Sequence, residues 1–110
     1  MAKFVKGDVV VVPFPFSDLT QSKRHPALVI AGVNEDDLIL CQITSQTVRD
    51  NYAVPLNYAD FVSGGLKQMS NIRPNRIFTA DSHIVLYKAG ALNVGKTAEV
   101  VNAVVNIIKS

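Results

Sequence analysis

The chain has no tryptophan and a single cysteine, Cys41, among its 110 residues. One cysteine cannot close an internal disulfide and no metal quartet surrounds it, so it reads as a buried strand residue. The histidines, His25 and His83, stand far apart, with no His, Cys or carboxylate cluster at ligand spacing; neither a metal nor another cofactor is expected. No apolar run approaches the roughly 20 residues that span a bilayer. The opening Met-Ala-Lys-Phe-Val-Lys-Gly-Asp lacks the apolar stretch of a secretory signal. The expectation is a cytoplasmic protein without a membrane partner. A large charge of either sign is also missing, since a net charge of +2 is too small to imply nucleic-acid binding by itself. No repeat, low-complexity tract or linker interrupts residues 1–110, which read as one domain able to bury a core.

What is present is β-branched and apolar. Apolar residues make up 48% of the chain and the mean hydropathy is positive, which fits a globular fold and not disorder. Strand signals recur at Asp8–Val12, Ala27–Ala31, Leu38–Ile43, Tyr52–Leu56, Lys67–Arg73, Arg76–Ala80 and Ile84–Tyr87, with Pro, Gly, Asn and Asp between them. Pro13 and Pro15 are expected to end the first strand, because neither can donate to a ladder. Asn34-Glu35-Asp36 fits a tight hairpin, Tyr58–Ser63 a short helical or irregular excursion, and Ser63-Gly64-Gly65 a flexible turn. From Val94 onward the period changes: Val100, Val101, Val104, Val105 and Ile108 recur at helical spacing behind Asn93, a good N-cap. So β-branched a helix needs a sheet or partner surface to form. The sum is a mainly β fold with a C-terminal helix (α+β), built as a small, partly open antiparallel barrel.

The charges are unevenly spread. Between Asp18 and Glu35 lie Lys23, Arg24 and His25 with no acid; between Asp60 and Asp81 lie Lys67, Arg73 and Arg76, again with none. Acids gather instead at Glu35, Asp36 and Asp37. The two basic windows make one cationic face only if the fold brings them together. Lys23, Arg24 and His25 read as part of a turn-rich loop between two strands, and Pro26 pushes His25 toward an extended conformation so that the next strand starts abruptly. A rigid scaffold presenting such a loop suits a phosphate-bearing ligand. Arg24, His25, Thr44, Ser45 and Arg73 form the constellation of interest. The arginines donate several hydrogen bonds and keep their charge, the hydroxyls orient a phosphate or ribose, and an imidazole accepts or gives a proton. Gly90 to Thr97 also spells G-x-x-x-x-G-K-T, the spacing of a phosphate-binding loop, but a mainly β chain offers no parallel α/β core to hold a nucleotide.

Gly7-Asp8-Val9-Val10, Pro13-Phe14-Pro15-Phe16 and Lys23-Arg24-His25-Pro26-Ala27-Leu28-Val29-Ile30 resemble the N-terminal signature of PemK/MazF-type toxins. Gln42-Ile43-Thr44-Ser45, Ser70-Asn71-Ile72-Arg73, Phe78-Thr79-Ala80-Asp81 and Lys88-Ala89-Gly90-Ala91-Leu92 follow in the family's order, so the resemblance covers nearly the whole chain. It implies an SH3-like barrel of the PemK/CcdB type that dimerises and cuts single-stranded RNA or mRNA sequence-selectively without a metal. It also implies attack by the ribose 2′-hydroxyl, leaving a 2′,3′-cyclic phosphate and a 5′-hydroxyl, and a cognate antitoxin whose tail fills the RNA groove. Arg24, His25, Thr44 and Arg73 are then the catalytic candidates, and Lys23, Ser45, Gln46, Asn75 and Arg76 the RNA-binding ones.

Two positions depart from the family's pattern. Members usually carry arginine directly before the proline of the second strand, where this chain has His25, with Arg24 one residue earlier. Some members have an aspartate where Asn75 stands, and a neutral amide is not a useful general base. Proton transfer is therefore assigned to His25 and phosphate binding to Arg24 or Arg73. Two alternatives stand beside this reading. One is a gyrase-binding poison like CcdB, which relies on a tryptophan this chain lacks; the other is a homologue that binds RNA or antitoxin without cutting.

Overall fold

Val9, Val10, Val11 and Val12 are all buried, which an alternating half-exposed strand would not allow. Their strand is covered on both faces, and such strands read as continuous apolar runs. Val9 packs with Leu28, Cys41, Ile43 and Ile72 in one cluster, while Val10 and Val12 pack with Ala27, Val29, Leu38 and Leu40 in another. The computed structural model describes residues 4–14 and 23–110; Pro15, Phe16 and the rest of 15–22, with the side chains of Phe14 and Lys23, lie outside the described residues.

In chain order the elements are β1 (Asp8–Phe14), β2 (Lys23–Val33), β3 (Asp37–Thr44), β4 (Val54–Leu56), β5 (Phe61–Gly64), β6 (Ser70–Asp81), β7 (Tyr87–Leu92) and α1 (Val94–Lys109). Single 3-10 turns span Tyr58–Asp60 and Ser82–Ile84. The strands form one antiparallel sheet in the order β4-β6-β3-β2-β1-β7-β5, curled into a half-barrel. The expected partly open barrel with a terminal helix is the fold found. No helix among the described residues is long and apolar enough to cross a membrane.

The helix begins where expected: Asn93 accepts the Lys96 backbone N–H through its side-chain oxygen at 2.7 Å. Its buried face is narrower than the spacing predicted. Thr97, Val100 and Val104 are buried, the two valines against Val9, Leu28 and Leu92, whereas Val105 and Ile108 are exposed. Asn34 closes the β2–β3 hairpin with φ 62°, a left-handed turn that asparagine tolerates.

Several boundaries move for identifiable reasons. β1 does not stop at Pro13: it runs on to Phe14, with Pro13 opposite Arg24. Among the described residues β1 pairs with β7 only from Asp8 to Val11, so at Pro13 the missing N–H costs no second ladder bond. Lys23, Arg24 and His25 are not loop residues but the first residues of β2, opposite Phe14, Pro13 and Val12. Pro26 lies inside that strand, one residue before pairing with β3 begins at Ala27. The two strands expected at Lys67–Arg73 and Arg76–Ala80 are one, β6. It is interrupted by a bulge that sets Gln42 opposite Arg73 but Cys41 opposite Ile77, and the buried Pro74 is accommodated there. The segment expected as a strand at Ile84–Tyr87 is a junction: Ile84 ends the 3-10 turn and Tyr87 opens β7.

The Ser63-Gly64 turn is instead the end of β5, with Gly64 opposite Gly90 of β7. A Cβ on Gly90 would meet the Ser63 carbonyl oxygen, and one on Gly64 the Ala89 carbonyl oxygen. Gly90 is therefore a strand-contact glycine. Lys96 is committed elsewhere, donating to the Pro55 carbonyl at 3.0 Å and pairing with Glu99 and Asp60, while Thr97 donates to the Asn93 carbonyl. The phosphate-loop spacing has a structural explanation.

Candidate RNA-binding groove

The site arises where two paired strands part. β2 and β3 run together until Ala27 and Gln42. Beyond that point β2 carries Pro26, His25 and Arg24 along β1, whereas β3 carries Ile43 and Thr44 along β6, opposite Ile72 and Asn71. A groove of about 480 Å³ opens there. It is lined by Arg24, His25 and Pro26 from β2, Gln42–Gln46 from β3 and the turn after it, Ser70 and Arg73 from β6, and Leu66, Lys67 and Gln68 from the segment before β6.

The structure thus brings Arg24, His25, Thr44, Ser45, Gln46 and Arg73 to one groove, and with Lys67 it joins the two basic windows. Asn75 and Arg76 sit exposed in the β6 bulge and do not line it. The Lys23 side chain is outside the described residues. Lys67, Gln68, Gln42 and Ser70 line the groove without having been singled out as site residues. Their segment is pinned: the Tyr58 hydroxyl donates to the Lys67 carbonyl at 3.0 Å, and Ser70 Oγ donates to the Gln68 carbonyl at 3.0 Å.

Thr44 Oγ1 accepts the Gln46 backbone N–H at 3.1 Å, which orients the oxygen and leaves its hydroxyl proton free to be donated. Arg73 is held by a residue the sequence did not suggest. Asp50 Oδ2 accepts from Arg73 Nη2 at 3.0 Å and from Asn75 Nδ2 at 3.1 Å, and Asp50 Oδ1 accepts from the Tyr52 backbone N–H at 3.0 Å. That backbone donor first, then Arg73 and Asn75, hold the Asp50 carboxyl below its ordinary range. Arg73 Nε is buried without a hydrogen-bond partner. Only the fold could reveal this acid, since the chain separates Asp50 from Arg73 by 23 residues.

Other reactive groups lie elsewhere. His83 Nδ1 is 2.6 Å from Asp81 Oδ1 on an exposed turn. The Cys41 thiol is buried, which pushes its pKa up to about 12. Among the described residues no three His, Cys, Asp or Glu side chains gather where they could hold a metal. In chemical terms the groove offers two guanidinium groups, hydroxyls and amides around an imidazole: donors for an anion beside a group able to exchange a proton.

Solved structures share the fold at low sequence identity. An endoribonuclease in complex with its cognate antitoxin, from a Mycobacterial species, superposes with a TM-score of 0.74 at 12% identity, over 99% of this chain and 96% of that one. The Mycobacterium tuberculosis toxin MazF-mt6 gives 0.72 at 16% identity, over 93% and 96%. MazF of Deinococcus radiodurans gives 0.74 at 19% identity, over 97% of each chain. No curated protein sequence matches the chain. The family model of PemK-like, MazF-like toxins of type II toxin-antitoxin systems matches residues 5–108, and this chain belongs to that family.

Proposed function

We propose that the chain is the toxin of a type II toxin-antitoxin pair and acts as a metal-independent endoribonuclease on single-stranded RNA. The observation that carries this reading is the convergence of Arg24, His25, Thr44 and Arg73 on the groove opened by the parting of β2 and β3. Family membership and the likeness to a solved endoribonuclease bound to its cognate antitoxin support it.

The chemistry follows from the groups present. The 2′-oxygen attacks the adjacent phosphorus as it loses its proton, and the bond from phosphorus to the 5′-oxygen breaks as that oxygen gains one. The products are a 2′,3′-cyclic phosphate and a 5′-hydroxyl. His25 exchanges the proton, and Arg24, Arg73 and the Thr44 hydroxyl donate to the non-bridging oxygens, where charge accumulates. Ser45 and Gln46 contact the RNA in the same groove. Asn75 and Arg76 extend that contact outside it, and Lys23 is a further RNA-binding candidate. The protein works as a homodimer and is silenced by an antitoxin segment occupying the groove.

Incubation of the purified protein with RNA in EDTA, beside Arg24→Ala and Arg73→Ala, tests this reading. Cleavage that survives the chelator, leaves cyclic phosphate ends and falls steeply, to a residual but measurable rate, in both variants is the expected result. RNA binding without cleavage by the unaltered protein would instead establish the non-cutting alternative.

A further inference from the structure

Residues 45–53, between β3 and β4, carry the one carboxylate that reaches a groove arginine among the described ion pairs. We propose that Asp50 is a positioning residue for the RNase reaction: it clamps the Arg73 guanidinium so that Nη1 and the second N–H of Nη2 are presented to the substrate phosphate. The inference rests on the RNase reading above and deepens it.

Three observations converge on the clamp. Asp50 takes donors from three places, Arg73, Asn75 and the Tyr52 backbone, so its carboxylate cannot turn without losing one of them. Two of those donors flank the buried Pro74, inside the bulge that separates the Arg73 and Ile77 pairings. The carboxylate therefore ties the bulge to the 45–53 segment where the ladder is interrupted. Arg73 Nε is buried and makes no hydrogen bond of its own, so the ion pair with Asp50 fixes the guanidinium's orientation.

The clamp has opposite effects on binding and on turnover. It offsets part of the arginine's charge, which weakens attraction for a polyanion. It also settles the orientation of a long side chain before substrate arrives, which favours the reaction step. Removing the charge should separate the two.

The test is steady-state cleavage of a short RNA by the full chain and by Asp50→Asn, Asn75→Ala, Arg73→Ala and the Asp50→Asn/Arg73→Ala double variant. Binding of a non-cleavable 2′-deoxy analogue is followed by fluorescence anisotropy. Asp50→Asn should lower kcat on the order of 10- to 100-fold with KM and analogue Kd unchanged or lower. Asn75→Ala, which leaves the carboxylate in place, should show a smaller loss of kcat. The Asp50→Asn effect should vanish in the Arg73→Ala background, because a residue acting through another has nothing left to position. Unchanged kcat in Asp50→Asn, or equal additional loss in the Arg73→Ala background, overturns the positioning role while the RNase reading stands. Absence of cleavage by the unaltered protein overturns the RNase reading itself and the proposal with it.

Discussion

Ala27 is the residue of β2 that pairs with Gln42 of β3 at the mouth of the groove, and no β2–β3 pair follows it among the described residues. Pro26 comes next in β2 and has no N–H to offer either neighbour. From there Arg24 and His25 leave with β1, and Thr44 leaves with β6. One divergence thus places an imidazole and an arginine on one strand beside hydroxyls and a second arginine on two others.

His25 is the group in the groove best suited to exchange protons, so His25→Ala should cut kcat by about 10²–10⁴-fold. It should also remove one limb of the pH–rate profile while leaving RNA affinity within a few-fold. Stopped-time cleavage of an RNA oligonucleotide between pH 5 and 9 measures both. A His25→Ala protein with full activity and an unchanged profile would return the acid–base role to another residue.

How far the sequence could be read depended on how local each cause was. The strands from Asp8, Ala27 and Leu38, the Asn34 hairpin and the Asn93 cap were legible because composition and spacing determine them within a few residues. The strand assignment of Lys23–His25 was not, because it depends on pairing with Phe14, Pro13 and Val12 across the hairpin. Likewise the merger of two segments into β6 depends on a bulge that only its pairing with β3 defines. Most of the candidate groove was read from resemblance and charge spacing. Asp50 was invisible because the side chains it holds, Arg73 and Asn75, are distant along the chain, and Asn75 proved to be a donor to that acid rather than a groove residue.

The Asp50 carboxyl is held below its ordinary range by the Tyr52 N–H first, then by Arg73 and Asn75. A depressed folded-state pKa means that the unfolded chain binds the proton more readily. The stabilisation is therefore present above the unfolded carboxyl value of about 3.9 and is lost as pH falls through the lower folded value. Thermal melts of the unaltered protein and of Asp50→Asn should differ most from pH 5 to 8 and converge on acidification below pH 4. A gap that stays constant down to pH 2 would show that the charge of Asp50 contributes nothing to the fold.

Cys41 behaves in the opposite sense. Burial raises its thiol from the ordinary value of 9.0 to about 12, so between those values the unfolded chain has lost a proton that the folded chain keeps. Its contribution is intact below pH 9 and declines as pH rises, by up to about 1.4 kcal/mol per pH unit. The same burial keeps the thiolate scarce and inaccessible at pH 8. A thiol-reactive dye should label the native protein slowly and label it stoichiometrically in guanidinium chloride. Rapid labelling under native conditions would mean that the β2–β3–β6 core opens readily.

The β5–β7 contact has no room for a side chain. A Cβ at Gly90 would press on the Ser63 carbonyl, the Gly65 nitrogen and the Phe61 ring, and two of these are backbone atoms that cannot swing aside. Gly90→Ala should therefore destabilise the fold by about 1–3 kcal/mol, as overpacking does, and should loosen the β5 edge first. Gly32 supplies the control, because a Cβ there meets nothing within 4 Å and its backbone lies outside the left-handed region. Gly32→Ala should be neutral or stabilising by about 0.4–1 kcal/mol through the unfolded chain. Urea unfolding of the two variants measures the contrast. Equal midpoints would mean that β5 and β7 are not held at this separation in solution.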